Sequence, residues 1–288
     1  YSVTVLAQPA LQTCTVVGGL GTVANANVVN LAVSCIQNAT TLSVSPTLVI
    51  PADGGTSALT VTNTGSFPAT HIRASLPGGW TAVIQDASAC ASLAPGAFCN
   101  LQFSSTQPYV AQSGVSVQGD NTPATSANVG FSLGGFLVFD VTSPSTATVV
   151  DTVDLSGTSW GDSGIATRAN SLTDGQTNTS IILITLPGAG PSAAFQCASK
   201  TTTGGPLWYL PAICQLSSSQ AICPAALGNV QRNLIDKGLG GFGAAPRWSS
   251  TESAGSPALA FSHGAGDLAD LAPKSTVQGL RCVATFEY

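Results

Sequence analysis

The chain has 288 residues, enough for two or three domains; hydrophobic residues make up 44% of it and charged residues only 7%, against roughly 25% charged in an ordinary globular protein. That hydrophobic content excludes a disordered chain, and a net charge of −5 argues against nucleic-acid binding and an anionic membrane surface. No apolar run approaches the ~20 residues of a membrane helix, so membrane insertion is not expected.

Eight cysteines point to disulfides in an oxidising compartment. Tyr1 in place of an initiator predicts a processed chain, secreted or otherwise exported, whose signal peptide has been removed. Charge is unevenly spread: residues 1–133 carry only Asp53, Arg73, Asp86 and Asp120, and the remainder holds seven basic and ten acidic groups. The uncharged first half is poorly protected against self-association.

Residues 1–37 read as strand, turn, strand. Tyr1 to Leu6 alternate with period two, and Cys14 opens a second run that ends at Val33-Ser34-Cys35. Cys14 and Cys35 are spaced for one bridge across a small sheet. The segment resembles the closing half of a repeat found in bacterial surface proteins, a Tyr-x-Val-x-Val strand followed by a Cys-x-Val…Val-x-Cys hairpin. The resemblance implies a chain that begins in mid-domain, with its missing strands supplied from upstream or by another subunit.

Residues 38–133 form a second unit of short strands at 42–44, 48–50, 58–62, 72–76, 97–103 and 115–117. Turn residues separate them at intervals of about ten, the rhythm of an immunoglobulin-like β-sandwich. Val61-Thr62-Asn63-Thr64-Gly65, followed by Leu93-Ala94-Pro95-Gly96-Ala97-Phe98-Cys99, resembles a family of bacterial surface sandwich domains. In that pattern Cys90 and Cys99 close a small loop, and the unit is a spacer or adhesion module without chemistry.

Residues 134–288 change character. Phe136 to Phe139 start a strand, 192–197 predict a short helix, and 221–237 predict a second, begun beyond Pro224 and ended by Gly238. The rest reads as strand and long loop. Gly134-Gly135-Phe136-Leu137-Val138-Phe139, Asp174-Gly175-Gln176-Thr177-Asn178-Thr179, Ala193-Ala194-Phe195-Gln196-Cys197, Gly204-Gly205-Pro206-Leu207-Trp208-Tyr209-Leu210-Pro211, Trp248-Ser249-Ser250-Thr251-Glu252, Ala258-Leu259-Ala260-Phe261 and Gly279-Leu280-Arg281-Cys282-Val283 occur in that order. The series resembles the C-terminal domain of a bacterial collagen-like adhesin family, within the C-type-lectin-like superfamily. The fold expected for the whole chain is therefore mainly β: immunoglobulin-like β-sandwich units followed by an α+β C-type-lectin-like domain.

Cys214 and Cys223, nine apart, are placed to pin one loop, and Cys197 with Cys282 would tie the second-half helix to the last strand. This nested scheme is one of three pairings open to four cysteines; the resemblance favours it, because the superfamily brings both ends of its fold together. The resemblance also implies a ligand-binding face between Trp248 and Arg281, where related proteins vary to change partner. Its positions here are Ser253, Ser256, Ser262, His263, Asp267, Asp270, Lys274 and Gln278, each of which also reads as an ordinary loop residue.

No metal or other cofactor is expected. Asp267 and Asp270 fall short of the 6–8 oxygens that calcium takes, and His71 and His263 are the only histidines. Gly161-Asp162-Ser163-Gly164 copies the short signature around a trypsin-like nucleophile. However, Ile165-Ala166 departs from that pattern, and His71 lies in the other unit. Gly-Asp-Ser-Gly is also good turn chemistry, and a Ser249/His263/Asp267 set can be drawn in any Ser-rich loop, so no enzyme is expected. The function expected is a β-sandwich stalk on a bacterial surface presenting a lectin-like adhesive domain to a host or matrix glycan or protein. The alternative is a homo-oligomer or self-assembling extracellular fibre, in which strand 1–6 or the uncharged sandwich surface makes the subunit contacts.

Overall fold

The computed structural model describes residues 1–9, 11–186, 190, 192–201, 206–225 and 228–288. Gly204 and Gly205, part of the Gly-Gly-Pro-Leu-Trp-Tyr motif, lie outside the described residues. The chain is mainly β, with 40% of it in strands and 11% in helices. Four disulfides, Cys14–Cys35, Cys90–Cys99, Cys197–Cys282 and Cys214–Cys223, fit an oxidising environment.

The first strands, β1 (Gln12–Val17) and β2 (Ala32–Gln37), form an antiparallel pair with Cys14 opposite Cys35. Residues 1–3 lie along the 19–21 turn rather than extending outward: Ser2 bridges Leu20, and the Val3 amide donates to the Gly19 carbonyl at 2.7 Å.

Next come β3 (Leu42–Val44), β4 (Thr47–Pro51), β5 (Thr56–Asn63), β6 (Ala69–Thr70), β7 (Arg73–Ser75), β8 (Val83–Asp86), β9 (Ser92–Leu93), β10 (Phe98–Ser105), β11 (Gln112–Gln118) and β12 (Thr125–Leu133). Strand alternation is clear in β5 and β10, whose Leu59, Val61, Leu101 and Phe103 face inward while their neighbours face water. The sheet β3-β5-β10-β8 packs over β4, β12, β11 and β7. Trp80, Tyr109 and Phe131 meet within that core, Trp80 to Phe131 edge-on at 4.9 Å. The Thr-Asn-Thr-Gly motif works as a buried latch. Asn63 accepts from Thr40 Oγ1 at 2.8 Å and donates to the Phe67 and Leu93 carbonyls. A Cβ at Gly65 would sit 2.2 Å from Thr40 Oγ1, so the motif needs its glycine.

The expected boundary at residue 133/134 is a two-residue turn. Gly134 and Gly135, both at positive φ (59° and 85°), link β12 to β13 (Phe136–Ser143), and the two strands pair. β14 (Thr146–Val150) continues the sheet, so that one eight-stranded sheet holds β7, β11, β12 and β4 from the first half. From the second half it takes β13, β14, β16 (Trp208–Tyr209) and β21 (Val283–Glu287). One hydrophobic cluster runs from Leu48 to Ala284 across this boundary.

A five-stranded sheet packs beside it in the order β15 (Leu155–Thr158), β20 (Gln278–Leu280), β17 (Arg247–Glu252), β18 (Leu259–Gly264), β19 (Leu268–Pro273). Helix α1 (Gly175–Thr185) is capped by Asp174, which accepts from the Thr177 amide at 2.9 Å. Sequence reading assigned no helix there. The expected helix near 192–197 is α2 (Ala193–Ala198), capped by Ser192. After α3 (Ile213–Leu216), the helix expected over 221–237 shrinks to α4 (Val230–Asn233), with a 3-10 turn at Ile235–Lys237 ending on left-handed Gly238. Asn229 starts α4 late by accepting from the Arg232 amide at 2.8 Å.

Candidate functional site

Every residue of β17 is buried, including two charged ones, and each charge has a dedicated partner. Arg247 forms a fork on Asp154, with Nε to Oδ1 and Nη2 to Oδ2 both at 2.8 Å, and Arg281 Nε donates to the same Oδ1 at 2.7 Å. Burial works to raise the Asp154 carboxyl; hydrogen bonds and charge from the two arginines outweigh it and hold the group low. The guanidiniums also lash down the loop after Gly238. Arg247 donates to the Gly243 and Ala245 carbonyls and Arg281 to Gly240, and the Phe242 ring lies 3.9 Å from the Arg281 guanidinium.

This loop, α4 and the β18–β19 turn enclose a cleft of about 210 Å3, lined by Gln231, Ile235, Phe242, Arg247, His263 and the Gly264-Ala265-Gly266 turn, among others. His263 forms part of its polar wall. Its Nε2 is 3.0 Å from Gln231 Oε1 and 3.5 Å from Asp267 Oδ1. Both are acceptors, so this network assigns the ring proton to Nε2 and leaves Nδ1 as an acceptor. Gln231 is itself oriented by donating to Asp236 at 2.6 Å. Burial lowers the His263 pKa, against an opposing pull from Asp267, so the ring favours its neutral form.

Asp267, at φ 63°, turns its carboxylate inward. It accepts from Ser217 Oγ at 2.7 Å and from the amide and hydroxyl of Ser218. Those oxygens serve the fold and stand poorly placed as metal ligands. Among the described residues no three His, Cys, Asp or Glu side chains gather as metal ligands.

The eight positions expected to form one face separate. His263 lines the cleft, and Asp267 supports it from outside the lining. Asp270 is exposed on β19, and Ser253 and Ser256 form a half-buried turn between β17 and β18. Lys274, Ser262 and Gln278 need correcting, because the structure buries them. Lys274 is fully buried, paired with Glu252, donating to the Ile165 carbonyl at 2.9 Å and lying 4.4 Å from the Trp160 ring. A buried Glu252 requires such a counter-charge. Ser262 sits opposite Trp248 in the sheet, and Gln278 is inside β20.

Of the residues in the drawn triads, His263 and Asp267 meet each other. Ser249 Oγ donates to the Phe261 carbonyl at 2.8 Å, and His71 pairs with Asp120 at 2.7 Å on the surface. Ser163 is exposed in a turn closed by the Gly164 amide on Asp162 at 2.8 Å. Sequence reasoning missed Gln231, Phe242 and Arg247. The available signal was one aromatic inside the glycine-rich run 238–243, a pattern of loops that approach other groups closely. Comparison with family models, curated proteins and solved structures gives no significant match to this chain.

Proposed function

We propose that the chain is a non-enzymatic, extracellular bacterial surface protein in which an immunoglobulin-like sandwich presents a C-type-lectin-like recognition domain, with the His263–Phe242 cleft as its contact site. The observation that carries this reading is the cleft's size and lining. Sites that enclose a whole small molecule run to roughly 300–1,000 Å3, and this one holds about 210 Å3. It suits a single protruding group of a larger ligand, a terminal sugar of a glycan or one side chain of a protein. A half-buried aromatic ring, the imidazole and the glycine-flanked rim offer one apolar surface and several hydrogen-bonding groups. The four disulfides suit the oxidising exterior where such ligands are met.

The test is a glycan and matrix-protein array probed with the chain, its Phe242→Ala variant and its Ala265→Arg variant. Ala265 is exposed at the rim, so arginine there obstructs the cleft without entering the core. Binding that falls at least tenfold in both variants is the expected result. Binding untouched by Ala265→Arg, or an array without a ligand, overturns the assignment.

A further inference from the structure

The β1–β2 hairpin does little to bury itself. Among the described residues, 11 of the 23 exposed large hydrophobic side chains fall within residues 1–37, and no side chain of this segment joins a core cluster. Beside it, Val3, Val5, Val16 and Leu20 line an unfilled groove of about 620 Å3. The segment touches the sandwich through thin polar contacts, such as Gln37 to Thr70 at 3.4 Å and Thr13 Oγ1 to Asn38 Oδ1 at 2.6 Å. Residues 1–3 occupy the turn end of the hairpin on the β1 side. Among the described residues, no backbone hydrogen bond reaches the outer edge of β2.

We infer that this edge is an assembly surface and that its occupant is a second copy of the chain, the two β2 strands pairing antiparallel across a two-fold axis. Three observations select that occupant. First, exposed edges are ordinarily guarded by charge, proline or a bulge. Ala32-Val33-Ser34-Cys35-Ile36-Gln37 carries no charge or proline and pairs with β1 in unbroken register, and residues 1–52 include no Asp, Glu, Lys or Arg. Second, a charged partner strand would lose hydration with nothing to pair with, whereas every copy brings an identical neutral edge. An antiparallel strand paired with itself is also the self-complementary arrangement that closes. Third, a two-stranded sheet is marginal alone and three or more strands are needed; joining two hairpins makes four, with Val33 (58% exposed) and Ile36 (68% exposed) at the new seam. Because residues 1–3 are already engaged, the contact falls on β2 rather than on the first strand.

Sedimentation velocity of the 288-residue chain across micromolar to millimolar concentration reads the association directly. A Val33→Lys/Ile36→Lys variant should fold normally, since both side chains point to water and Cys14–Cys35 holds the hairpin. The expected result is a dimer that the variant weakens by about 100-fold, with melting unchanged. In the parent chain, hydrogen-exchange protection at residues 32–37 should rise with concentration. A parent chain that stays monomeric throughout overturns the inference, as does association unaltered in the variant. Association abolished instead by Ile84→Lys/Phe98→Lys places the contact on the sandwich and also overturns it. A filament in place of a closed dimer overturns the two-fold pairing.

Discussion

Residues 1–37 and residues 134–288 are both disulfide-linked, yet they hold their shape by opposite means. The second region packs Cys197–Cys282 into one cluster with Trp160, Trp208 and Trp248 and buries the Lys274–Glu252 pair, so that each side chain depends on many others. The hairpin has a cross-link and a backbone ladder, and its apolar side chains face water. The difference teaches that a disulfide stabilises what packing has already ordered. Where packing is missing, it holds two strands together without a core.

The sharpest way to break this contrast is to cut both cross-links separately. Cys197→Ser/Cys282→Ser opens an 85-residue separation and should lower unfolding free energy by about 4–5 kcal/mol. Cys14→Ser/Cys35→Ser should leave the main unfolding transition in place and create a protease-sensitive segment before residue 38. Equal effects on the main transition would erase the distinction. Next in size is Lys274→Met, which strands the buried Glu252 carboxylate and should cost about 3–5 kcal/mol in denaturant titration. Adding Glu252→Gln should restore part of that loss, because the uncompensated charge is then gone.

The smallest expected effect is on pH dependence. His263 is neutral when folded and its pKa is depressed by burial, so its contribution is intact above the unfolded value of about 6.5 and is lost as pH falls through the folded value. Melting temperature followed from pH 7 to 5 should decline, and His263→Gln should flatten that slope. Glu252 adds a later acid step: burial raises its carboxyl, but Lys274 and the Thr167 and Arg168 amides pull it lower still. Its stabilisation is therefore lost only as pH falls below about 4. The hairpin contains no charged group and should show no such response.

Strand positions in the first half were legible because their contacts follow the period of the pleat. Leu59, Val61, Leu101 and Phe103 alternate with polar neighbours, so each strand shows its buried face without knowledge of its partner. The reading weakened where long-range contacts decide. Glycine pairs can signal an inter-domain break, whereas Gly134-Gly135 closes a hairpin inside one sheet. The segment after Asp174 is rich in threonine and isoleucine, poor helix formers, and becomes α1 because its cap and its packing against β17 outweigh propensity.

The site was the least legible part. Lys274 looks like a surface loop residue until Glu252, 22 positions earlier, is brought beneath it. Phe242 looks like a stray aromatic until Arg281, far along the chain, lies against it.

The continuous ladder through Gly134-Gly135 has a mechanical meaning. Bending the molecule between the sandwich and the second half would break hydrogen bonds of the shared sheet, so those two parts turn together as one stiff lever. Whatever grips the sandwich strands thereby fixes the angle at which the far cleft is held out. A load applied at the cleft travels back along strands rather than being absorbed by a hinge.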